Sequence, residues 1–245
     1  MPRIFIQPGY MADGRVTLPP EEARRFFRVL RMGQGDRVDL FDGHKEYRAV
    51  ILSISPRSAV LEITAENEKT SEPGINIILG QGMPKGDKLE VVVQKSVELG
   101  VSEVVPVILE RSVKRPDPND MGGRLSRLKR IATEAAQQSG RVMVPEVTAC
   151  MDLTMFLEHT RTAGLKILLY EGMKAVGLRD ILRSAVDVKS VSLLIGPEGG
   201  LTAGEVQEAA AAGYVAAGLG PRILRTETAG PAVISIIQYE LGDMG

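Results

Sequence analysis

Two glycine-bearing segments near the C-terminus decide the fold of this chain. The first glycine motif is Leu194-Ile195-Gly196-Pro197-Glu198-Gly199-Gly200-Leu201-Thr202, and the second glycine motif is Leu219-Gly220-Pro221-Arg222-Ile223-Leu224-Arg225-Thr226-Glu227-Thr228-Ala229. Each follows an apolar run typical of a strand and leads into a predicted helix. Glycine lets a backbone approach a ligand closely or adopt a positive φ that other residues avoid. The two motifs therefore predict a pocket lined by main-chain groups at neighbouring strand ends.

Length and composition exclude several classes of protein. The 245 residues, 44% hydrophobic and 25% charged, are typical of a globular chain with one or two domains. The formal net charge is −1, so nucleic-acid binding would need a local basic patch. The single cysteine, Cys150, excludes an internal disulfide framework. Because we find neither a signal peptide nor an apolar run near the ~18 residues of a membrane span, we expect a cytoplasmic protein.

The residues before about position 70 predict a small β-rich domain, either a barrel or a sandwich. Turn residues separate five predicted strands, which are Arg3 to Ile6, Arg15 to Leu18, Arg37 to Phe41, Glu46 to Ile54 and Ala59 to Thr64. One helix is predicted between the second and third of them, from about Pro20 to Leu30. The polar stretch from Glu66 to Gly74 has the composition of a linker.

After the linker, strands and helices alternate, which predicts an α/β domain with a largely parallel sheet. The predicted strands are Ile75 to Leu79, Glu103 to Ile108, Leu165 to Tyr170, Val191 to Ile195 and Tyr214 to Ala217. The predicted helices run roughly from Lys88 to Leu99, Leu125 to Ser139, Val176 to Ala185, Ala203 to Ala212 and Ala229 to Leu241. Asp87 with Glu90 predicts a capping box, and Gly100 predicts the end of that helix.

Both glycine motifs also have a purely structural interpretation. Thr202 and Glu205 have the spacing of a capping box, so the first motif fits a tight turn and a capped helix as well as a ligand loop. The second motif places five polar side chains beside a strand end, where open α/β sheets bind ligands. Thr228 is a candidate cap for the last helix, whose first turn would then contain a proline. That interpretation leaves Arg225 and Glu227 without a structural role.

The motifs of other enzyme classes are missing. The chain contains no G-x-x-x-x-G-K-[ST] sequence, and neither glycine motif has the G-x-G-x-x-G pattern. His44 and His159 are far apart and lack the spacing of metal ligands. No serine is accompanied by a histidine pattern that would suggest a nucleophile. Nucleotide hydrolysis, metal catalysis and serine hydrolysis are therefore disfavoured.

Two basic clusters favour a phosphate-rich partner. The first basic cluster is Arg24, Arg25, Arg28 and Arg31, which lie largely on one face of the predicted N-terminal helix, given the spacing 24, 28, 31. The second basic cluster has two acidic residues, Asp117 and Asp120, and seven basic ones, which are Arg111, Lys114, Arg115, Arg124, Arg127, Lys129 and Arg130. One such cluster is typical of a solvated helix face, whereas two favour nucleic-acid binding.

The two glycine motifs resemble the cofactor loops of the SPOUT superfamily of RNA methyltransferases. The resemblance is closest to the family of small-subunit (16S) ribosomal RNA uridine N3-methyltransferases. It continues in Arg28-Val29-Leu30-Arg31-Met32, Gly35-Asp36 and Leu40-Phe41-Asp42-Gly43, which resemble the N-terminal domain of that family. Its central segments are matched by Gln94-Lys95-Ser96-Val97-Glu98-Leu99-Gly100-Val101 and Glu134-Ala135-Ala136-Gln137-Gln138-Ser139-Gly140-Arg141. The similarity thus spans nearly the whole chain.

The resemblance implies a fold, a cofactor and partners. Residues 1–70 would form a PUA-like RNA-binding β-barrel domain, and residues 74–245 an α/β SPOUT methyltransferase domain with a deep trefoil knot. The implied partners are ribosomal RNA or the small ribosomal subunit and a second copy of the chain in a homodimer, with no membrane or metal. The implied cofactor is S-adenosylmethionine, bound by Leu169, Tyr170, Glu171, Ile195, Gly196, Pro197, Gly199, Leu219, Gly220, Ile223, Leu224, Thr226, Thr228 and Ala229.

The implied reaction assigns tasks to a few side chains. Methylation of uracil N3 requires loss of the imide proton and stabilisation of negative charge on the base. Arginine cannot be the base near neutral pH because its pKa exceeds ~12, so Arg225 is predicted to stabilise the uracil anion. Either Glu198 or Glu227 would accept the proton or orient the base, and the sequence does not choose between them. The predicted RNA-binding residues are Arg24, Arg28, Arg31, Arg124, Arg127 and Arg130.

Two other functions compete with this one. The chain could be an RNA-binding protein with a SPOUT-like fold that acts on another RNA or has no transferase activity. It could also be an α/β domain that binds an unrelated nucleotide. The intact glycine motifs favour the enzyme.

Overall fold

The fold is described from a computed structural model, in residues 2–67, 71–112, 121–170 and 176–245. Contacts divide the chain into two compact units. The first unit contains Met1–Glu72 and Ala136–Val144, and the second contains Pro73–Ala135 and Pro145–Gly245. Within the described ranges, no helix has both the length and the apolar character needed to span a membrane.

The first unit is built on a six-stranded sheet. Its strands are β1 (Arg3–Phe5), β2 (Met11–Ala12), β3 (Arg15–Leu18), β4 (Arg37–Phe41), β5 (Glu46–Ser55) and β6 (Ser58–Asn67). The hydrogen-bonded order is β1-β4-β5-β6-β3-β2, in which only β1 and β4 are parallel. Alternate strand residues point into an apolar core that includes Ile6, Leu40, Ile51 and Leu61. The predicted β-rich character of this region is confirmed.

The helical segment of the first unit has the predicted extent. Helix α1 (Pro20–Arg24) continues into a π-helical turn at Arg25–Val29, so the helix predicted from about Pro20 to Leu30 is present but changes its hydrogen bonding halfway. The carbonyl of Arg25 accepts the N–H of Leu30, five residues on, and a positive φ of 52° at Arg31 then ends the helix. The sequence did not indicate the π-helical turn, because such turns occur mostly as single turns inside α-helices.

The second unit contains a parallel sheet, as predicted. Its strands are β7 (Asn76–Gly82), β8 (Glu103–Ile108), β9 (Glu146–Val147), β10 (Met151–Asp152), β11 (Leu165–Leu169), β12 (Val176–Gly177), β13 (Ser190–Ile195) and β14 (Val215–Gly218). The order is β10-β8-β7-β13-β11-β14-β12, with β9 also paired to β8. Every pairing in this sheet is parallel. Sheets of this kind bind ligands beyond the carboxyl ends of their strands.

Helices cover both faces of the parallel sheet. They are α2 (Lys88–Glu98), α3 (Met121–Ser139), α4 (Leu153–His159), α5 (Leu178–Ser184), α6 (Ala203–Ala211) and α7 (Thr226–Leu241). Strand β7 shows the two faces, because Leu79 and Gln81 face α7 at Gly230, whereas Gly80 faces α4. A Cβ at Gly80 would lie 2.3 Å from the ring of Phe156, so only glycine fits there.

Three helix details depart from the prediction. Helix α4 was not predicted, because a seven-residue helix is too short to show a clear period. Helix α7 begins at Thr226, three residues before the predicted start, so Thr228 lies inside the helix rather than capping it. Pro231 consequently lies in the second turn and not the first.

The two predicted capping boxes have opposite outcomes. Thr202 and Glu205 form a complete capping box at the start of α6, as predicted. The box at Asp87 and Glu90 is wrong, because the Asp87 side chain makes no cap hydrogen bond. The carboxylate of Glu90 instead accepts a hydrogen bond of 2.8 Å from Arg127. The end of α2 is as predicted, since Gly100 follows it with a φ of +90°.

Candidate functional site

Four parallel strands of the second unit end side by side. Leu169 at the end of β11 is in register with Ile195 of β13 on one side and with Ala217 of β14 on the other. Ile195 is also in register with Gln81 of β7. The two glycine motifs therefore leave the sheet on either side of β11. Of the predicted cofactor-binding residues, Leu169 and Tyr170 lie at the end of this middle strand, whereas Glu171 falls outside the described residues.

The first glycine motif is a tight turn stabilised by its own backbone. The N–H of Gly200, whose φ is +69°, donates to the carbonyl of Pro197 at 2.9 Å. A Cβ at Gly196 would lie 3.1 Å from the carbonyl carbon of Gly200 and 3.3 Å from Cγ of Leu201. The turn thus needs glycine at 196 for close packing and at 200 for its backbone conformation.

A buried hydrogen-bonded chain joins the first glycine motif to β7 and α7. The Thr226 hydroxyl donates to the carbonyl of Gly196 at 2.7 Å and accepts from Nε2 of Gln81 at 2.8 Å. Gln81 is fully buried, and its Oε1 has no hydrogen-bond partner within the described ranges. Gln81 was not among the predicted site residues, although an amide that directly follows the apolar run Ile77-Ile78-Leu79-Gly80 was a usable signal.

The second glycine motif is open by comparison. Gly220 has a φ of +97°, and no atom lies within 4 Å of the position that a Cβ would occupy there. The side chain of Ile223 is 79% exposed. In the part of the chain that the structure describes, the backbone N–H groups of Leu219, Ile223 and Leu224 donate to no protein acceptor. This motif therefore presents both apolar surface and free main-chain donors.

The three predicted catalytic residues lie in one cluster of charges with Lys88. Nζ of Lys88 is 2.9 Å from Oε1 of Glu198 and 3.4 Å from Oε2 of Glu227. Oε1 of Glu227 is 4.0 Å from Nη1 of Arg225, whose side chain is 83% exposed. The structure thus brings Arg225, Glu198 and Glu227 together, through a lysine that the sequence did not indicate.

The first glycine motif meets the start of α2 through Glu198. Its carboxylate accepts a hydrogen bond from Nζ of Lys88 and another, at 3.1 Å, from the backbone N–H of Lys85. Burial opposes ionisation of Glu198, but these hydrogen bonds outweigh it and lower its pKa. The hydrogen bond from Lys88 to Glu198 likewise raises the pKa of Lys88. Both groups are therefore charged near neutral pH.

The two basic clusters differ in whether their arginines form ion pairs within the described ranges. Arg24, Arg28 and Arg31 are exposed and form no ion pair within the described ranges, although Nε of Arg24 donates to the Pro20 carbonyl at 3.1 Å. In the second basic cluster, Arg127 pairs with Glu90, and the Arg124 guanidinium donates to the Gly86 carbonyl at 3.2 Å. Arg130 is exposed, whereas Leu128 and Ala132 on the same helix are buried, so α3 is amphipathic.

The geometry defines a class of protein. It is an α/β protein with a parallel sheet, whose candidate ligand site is made of main-chain turns and a charged cluster at the strand ends. No group of three or more His, Cys, Asp or Glu side chains in the described ranges is arranged to hold a metal ion.

The comparison with protein families identifies the particular family. Residues 70–238 match the RNA methyltransferase domain, and residues 18–64 match the RNA methyltransferase PUA domain. The chain belongs to this family of RNA methyltransferases, and the family predicted from the sequence is confirmed.

Named relatives resemble the chain over most of its length. It is 35% identical over 233 residues to the ribosomal RNA small subunit methyltransferase E of Bacillus subtilis, covering 91% of this chain and 90% of the relative. The crystal structure of such an enzyme from Neisseria gonorrhoeae, bound to S-adenosyl methionine, has 35% identity and a TM-score of 0.90 over 100% of both chains. A methyltransferase from Legionella pneumophila in complex with SAM has 34% identity and a TM-score of 0.90, covering 99% and 98% of the two chains.

Proposed function

We propose that this protein transfers a methyl group from S-adenosylmethionine to N3 of a uridine in small-subunit (16S) ribosomal RNA. Relatives named ribosomal RNA small subunit methyltransferase E cover nearly the whole chain, and two related structures contain the cofactor. The observation that carries the proposal is the pair of glycine motifs on either side of β11, joined by Thr226. The activity and cofactor that the sequence predicted agree with these relatives.

The residues at the strand ends fit S-adenosylmethionine. A nucleoside needs close backbone approach and main-chain hydrogen bonds, and the free N–H groups of Leu219, Ile223 and Leu224 supply donors. Bound there, the cofactor supplies an electrophilic methyl group. We propose that this chain holds it with Leu169, Tyr170, Ile195, Gly196, Pro197, Gly199, Leu219, Gly220, Ile223, Leu224, Thr226, Thr228 and Ala229.

The charged cluster supplies the chemistry at the base. We propose that Arg225, mostly exposed beside the second glycine motif, stabilises the negative charge that develops on uracil as its proton leaves. Glu198 and Glu227 both lie within reach of the same lysine, and one of them accepts that proton. The guanidinium stays charged throughout, so it acts only as a cation.

RNA binding is assigned to the basic clusters. We propose that Arg24, Arg28 and Arg31 contact phosphates, which their exposure and lack of carboxylate partners in the described residues support. Arg124, Arg127 and Arg130 form a second contact region on α3. We take residues 1–70 as a PUA-like RNA-binding β-barrel domain and residues 74–245 as the methyltransferase domain. Because ribosomal RNA is the substrate, we place the protein in the cytoplasm.

We also propose a deep trefoil knot in the methyltransferase domain and a homodimer in solution. The knot is supported by the sheet order, with β11 between β13 and β14, and by the hydrogen bond from Thr226 to Gly196 across the two motifs. The homodimer is supported by exposed apolar side chains on packed helices, Val91 on α2 and Ile236 and Tyr239 on α7. Light scattering at several concentrations tests the dimer.

Two measurements test the proposed function. Calorimetry should show binding of S-adenosylmethionine and of S-adenosylhomocysteine to the purified chain. Mass spectrometry of 16S ribosomal RNA from a strain lacking the gene should reveal a uridine without its N3 methyl group. Binding of RNA without binding of the cofactor would instead identify a protein that binds RNA and has no transferase activity.

A further inference from the structure

Lys88 lies at the N-terminal end of a helix, where a positively charged side chain is electrostatically unfavourable. It is the first residue of α2, and a cation there opposes the positive end of the helix macrodipole. Asp87, immediately before it, makes no side-chain cap hydrogen bond that would offset this charge. The lysine ammonium instead contacts Glu198 of the first glycine motif and Glu227 of the second. One side chain thus joins the start of α2 to both motifs.

The two glutamates that Lys88 contacts differ in the hydrogen bonds that their carboxylate oxygens accept. Both oxygens of Glu198 lie within 3.3 Å of the Lys85 backbone N–H, and Oε1 also accepts from Lys88 at 2.9 Å. Among the residues that the structure describes, Glu227 has only the 3.4 Å ion contact to Lys88 and the 4.0 Å contact to Arg225. Its Oε2 is buried and forms no well-aligned hydrogen bond within the described ranges. Glu227 therefore keeps more free acceptor capacity than Glu198, which already accepts from two donors.

We propose that Lys88 is a positioning residue that gives the two glutamates different tasks. It anchors Glu198, and with it the first glycine motif, to the start of α2. It also holds Glu227 beside Arg225 as the carboxylate that accepts the N3 proton of the target uracil. This assignment rests on the proposed function and selects between the two glutamates that the sequence left open.

The proposed step balances in atoms and charge. The N3–H bond of uracil breaks and its proton passes to the carboxylate of Glu227. The N3 electron pair forms the new bond to the methyl carbon as the methyl–sulfur bond breaks, and that bond's electrons stay on sulfur. Glu227 then loses its proton to solvent. The charged groups that face Glu227 are Lys88 from α2 and Arg225 from the second glycine motif, with Glu198 on the other side of the lysine.

The decisive test compares Glu227→Gln with Glu198→Gln in single-turnover transfer to small ribosomal subunits that lack the methyl group. Glu227→Gln should slow transfer at neutral pH by about 10²–10⁴-fold, the usual contribution of a general base. Its rate should recover as pH rises, because the uracil imide then ionises without a base. Glu198→Gln should instead weaken cofactor affinity several-fold, measured by calorimetry, and keep the wild-type pH profile of transfer.

The positioning role is tested with Lys88→Met and Lys88→Arg. Lys88→Met should lower the saturated transfer rate by roughly tenfold and also weaken cofactor affinity, because both glutamates lose their common partner. Lys88→Arg should recover most of both losses. Lys95→Met is the matched control, since Lys95 lies on the same helix and pairs with Glu98, three residues away, rather than with either motif. That control should leave transfer rate, cofactor affinity and melting temperature unchanged.

Three outcomes would overturn the proposal. In the first, Glu198→Gln rather than Glu227→Gln shows the rate loss that alkaline pH reverses. In the second, neither variant shows such recovery although the wild-type protein is active. In the third, Lys88→Met remains folded with wild-type rate and affinity. If the wild-type protein neither binds S-adenosylmethionine nor methylates the subunits, the proposed function itself is wrong. That result differs from all three outcomes, because each of them requires an active wild-type protein.

Discussion

The two glycine motifs begin from parallel strands of one sheet, yet their structures differ. The first is closed, since Gly196 packs against Gly200, Glu198 is anchored to Lys85 and Lys88, and Thr202 caps the next helix. The second is open, with free backbone donors in the described residues and an exposed Ile223. The first motif is therefore a preformed wall of the site, whereas the second retains donors and apolar surface that a ligand can engage.

This difference predicts where ligand binding changes the molecule. Ordering a flexible segment opposes binding, and a wall that is already ordered avoids that cost. Substitutions in the first motif should therefore affect the free protein, while those in the second should act mainly on binding or transfer. The following changes test that division, beginning with the largest expected effect.

Arg225→Ala should lower the saturated transfer rate by about 10²–10³-fold, the usual loss when one donor to a developing anion is removed. Arg225→Lys should recover only part of the rate, because an ammonium cannot reproduce the planar guanidinium fork. The melting temperature should not change, since the side chain is mostly exposed and its nearest carboxylate contact is 4.0 Å long. Single-turnover transfer, with cofactor affinity measured in parallel, tests this.

The same experiment can contradict the assignment of Arg225. A large loss of cofactor affinity with normal saturated transfer would make Arg225 a cofactor-binding residue instead. Arg222→Ala is the matched control, because Arg222 is also exposed and lies in the same motif.

Replacing Gly196 and Gly220 by alanine should show how the two motifs differ in their effects on stability and on cofactor affinity. Gly196→Ala would place Cβ 3.1 Å from the Gly200 backbone, and such overpacking costs about 1–3 kcal/mol of unfolding free energy. The melting temperature should then fall by roughly 2–4 °C for each kcal/mol. Gly220→Ala meets no atom of the described residues within 4 Å, but the φ of +97° is strained for alanine, so the melting temperature should also fall, and cofactor affinity should fall with it. Thermal unfolding and calorimetry measure the two effects.

Gly204→Ala provides the control for these glycines. Its Cβ would have only an ordinary 3.9 Å contact with Thr202, and alanine favours the helix that contains it. Wild-type cofactor affinity in a folded Gly220→Ala variant would contradict the division between a preformed and an open motif.

The two basic clusters should also differ in their contributions to RNA binding, because one contains an arginine that already forms an ion pair. Replacing Arg24, Arg28 and Arg31 by glutamine should flatten the salt dependence of RNA affinity by about 0.7–0.9 for each phosphate that is no longer neutralised. Replacing Arg124, Arg127 and Arg130 should change it less, because Arg127 is already paired with Glu90. Binding titrations at several salt concentrations test this, with cofactor affinity as the control. An unchanged salt slope in both triple variants would identify ordinary solvated surfaces.

The sequence predicted most of the strands and helices because their signals are local. Apolar runs such as Val191 to Ile195 and the capping box at Thr202 depend on nearby residues alone. The missed elements lacked such signals. Helix α4 is seven residues long, and the π-helical turn at Arg25–Val29 is a single turn that continues an α-helix. The wrong capping box at Asp87 shows that a partner distant in sequence, Arg127, can take the glutamate of a local motif.

The candidate site was predicted in its backbone and incompletely in its side chains. Glycines and polar residues at strand ends could be located from spacing, since parallel strands end at one edge of a sheet. Lys88 and Gln81 could not be located from the sequence. Lys88 lies 139 residues from its partner Glu227, and Gln81 lies 145 residues from its partner Thr226. Only the fold brings such residues together.

The smallest expected effect concerns the charge that anchors the first glycine motif. Although burial opposes ionisation of Glu198, its hydrogen bonds from Lys88 and Lys85 lower its pKa below the ordinary 4.5. A carboxyl group with a lowered pKa stabilises the fold above its unfolded-state pKa, and that stabilisation disappears as pH falls through the folded-state value. Glu198→Gln should therefore lower the melting temperature by about 1–2 °C near neutral pH. The difference from wild type should shrink as pH falls below 4.5.

Glu158→Gln, at an exposed pair with Arg161, should show no such difference. Melting curves across this range test the prediction, and a constant difference down to the lowest pH at which both proteins fold would mean that the carboxylate charge does not stabilise the first motif.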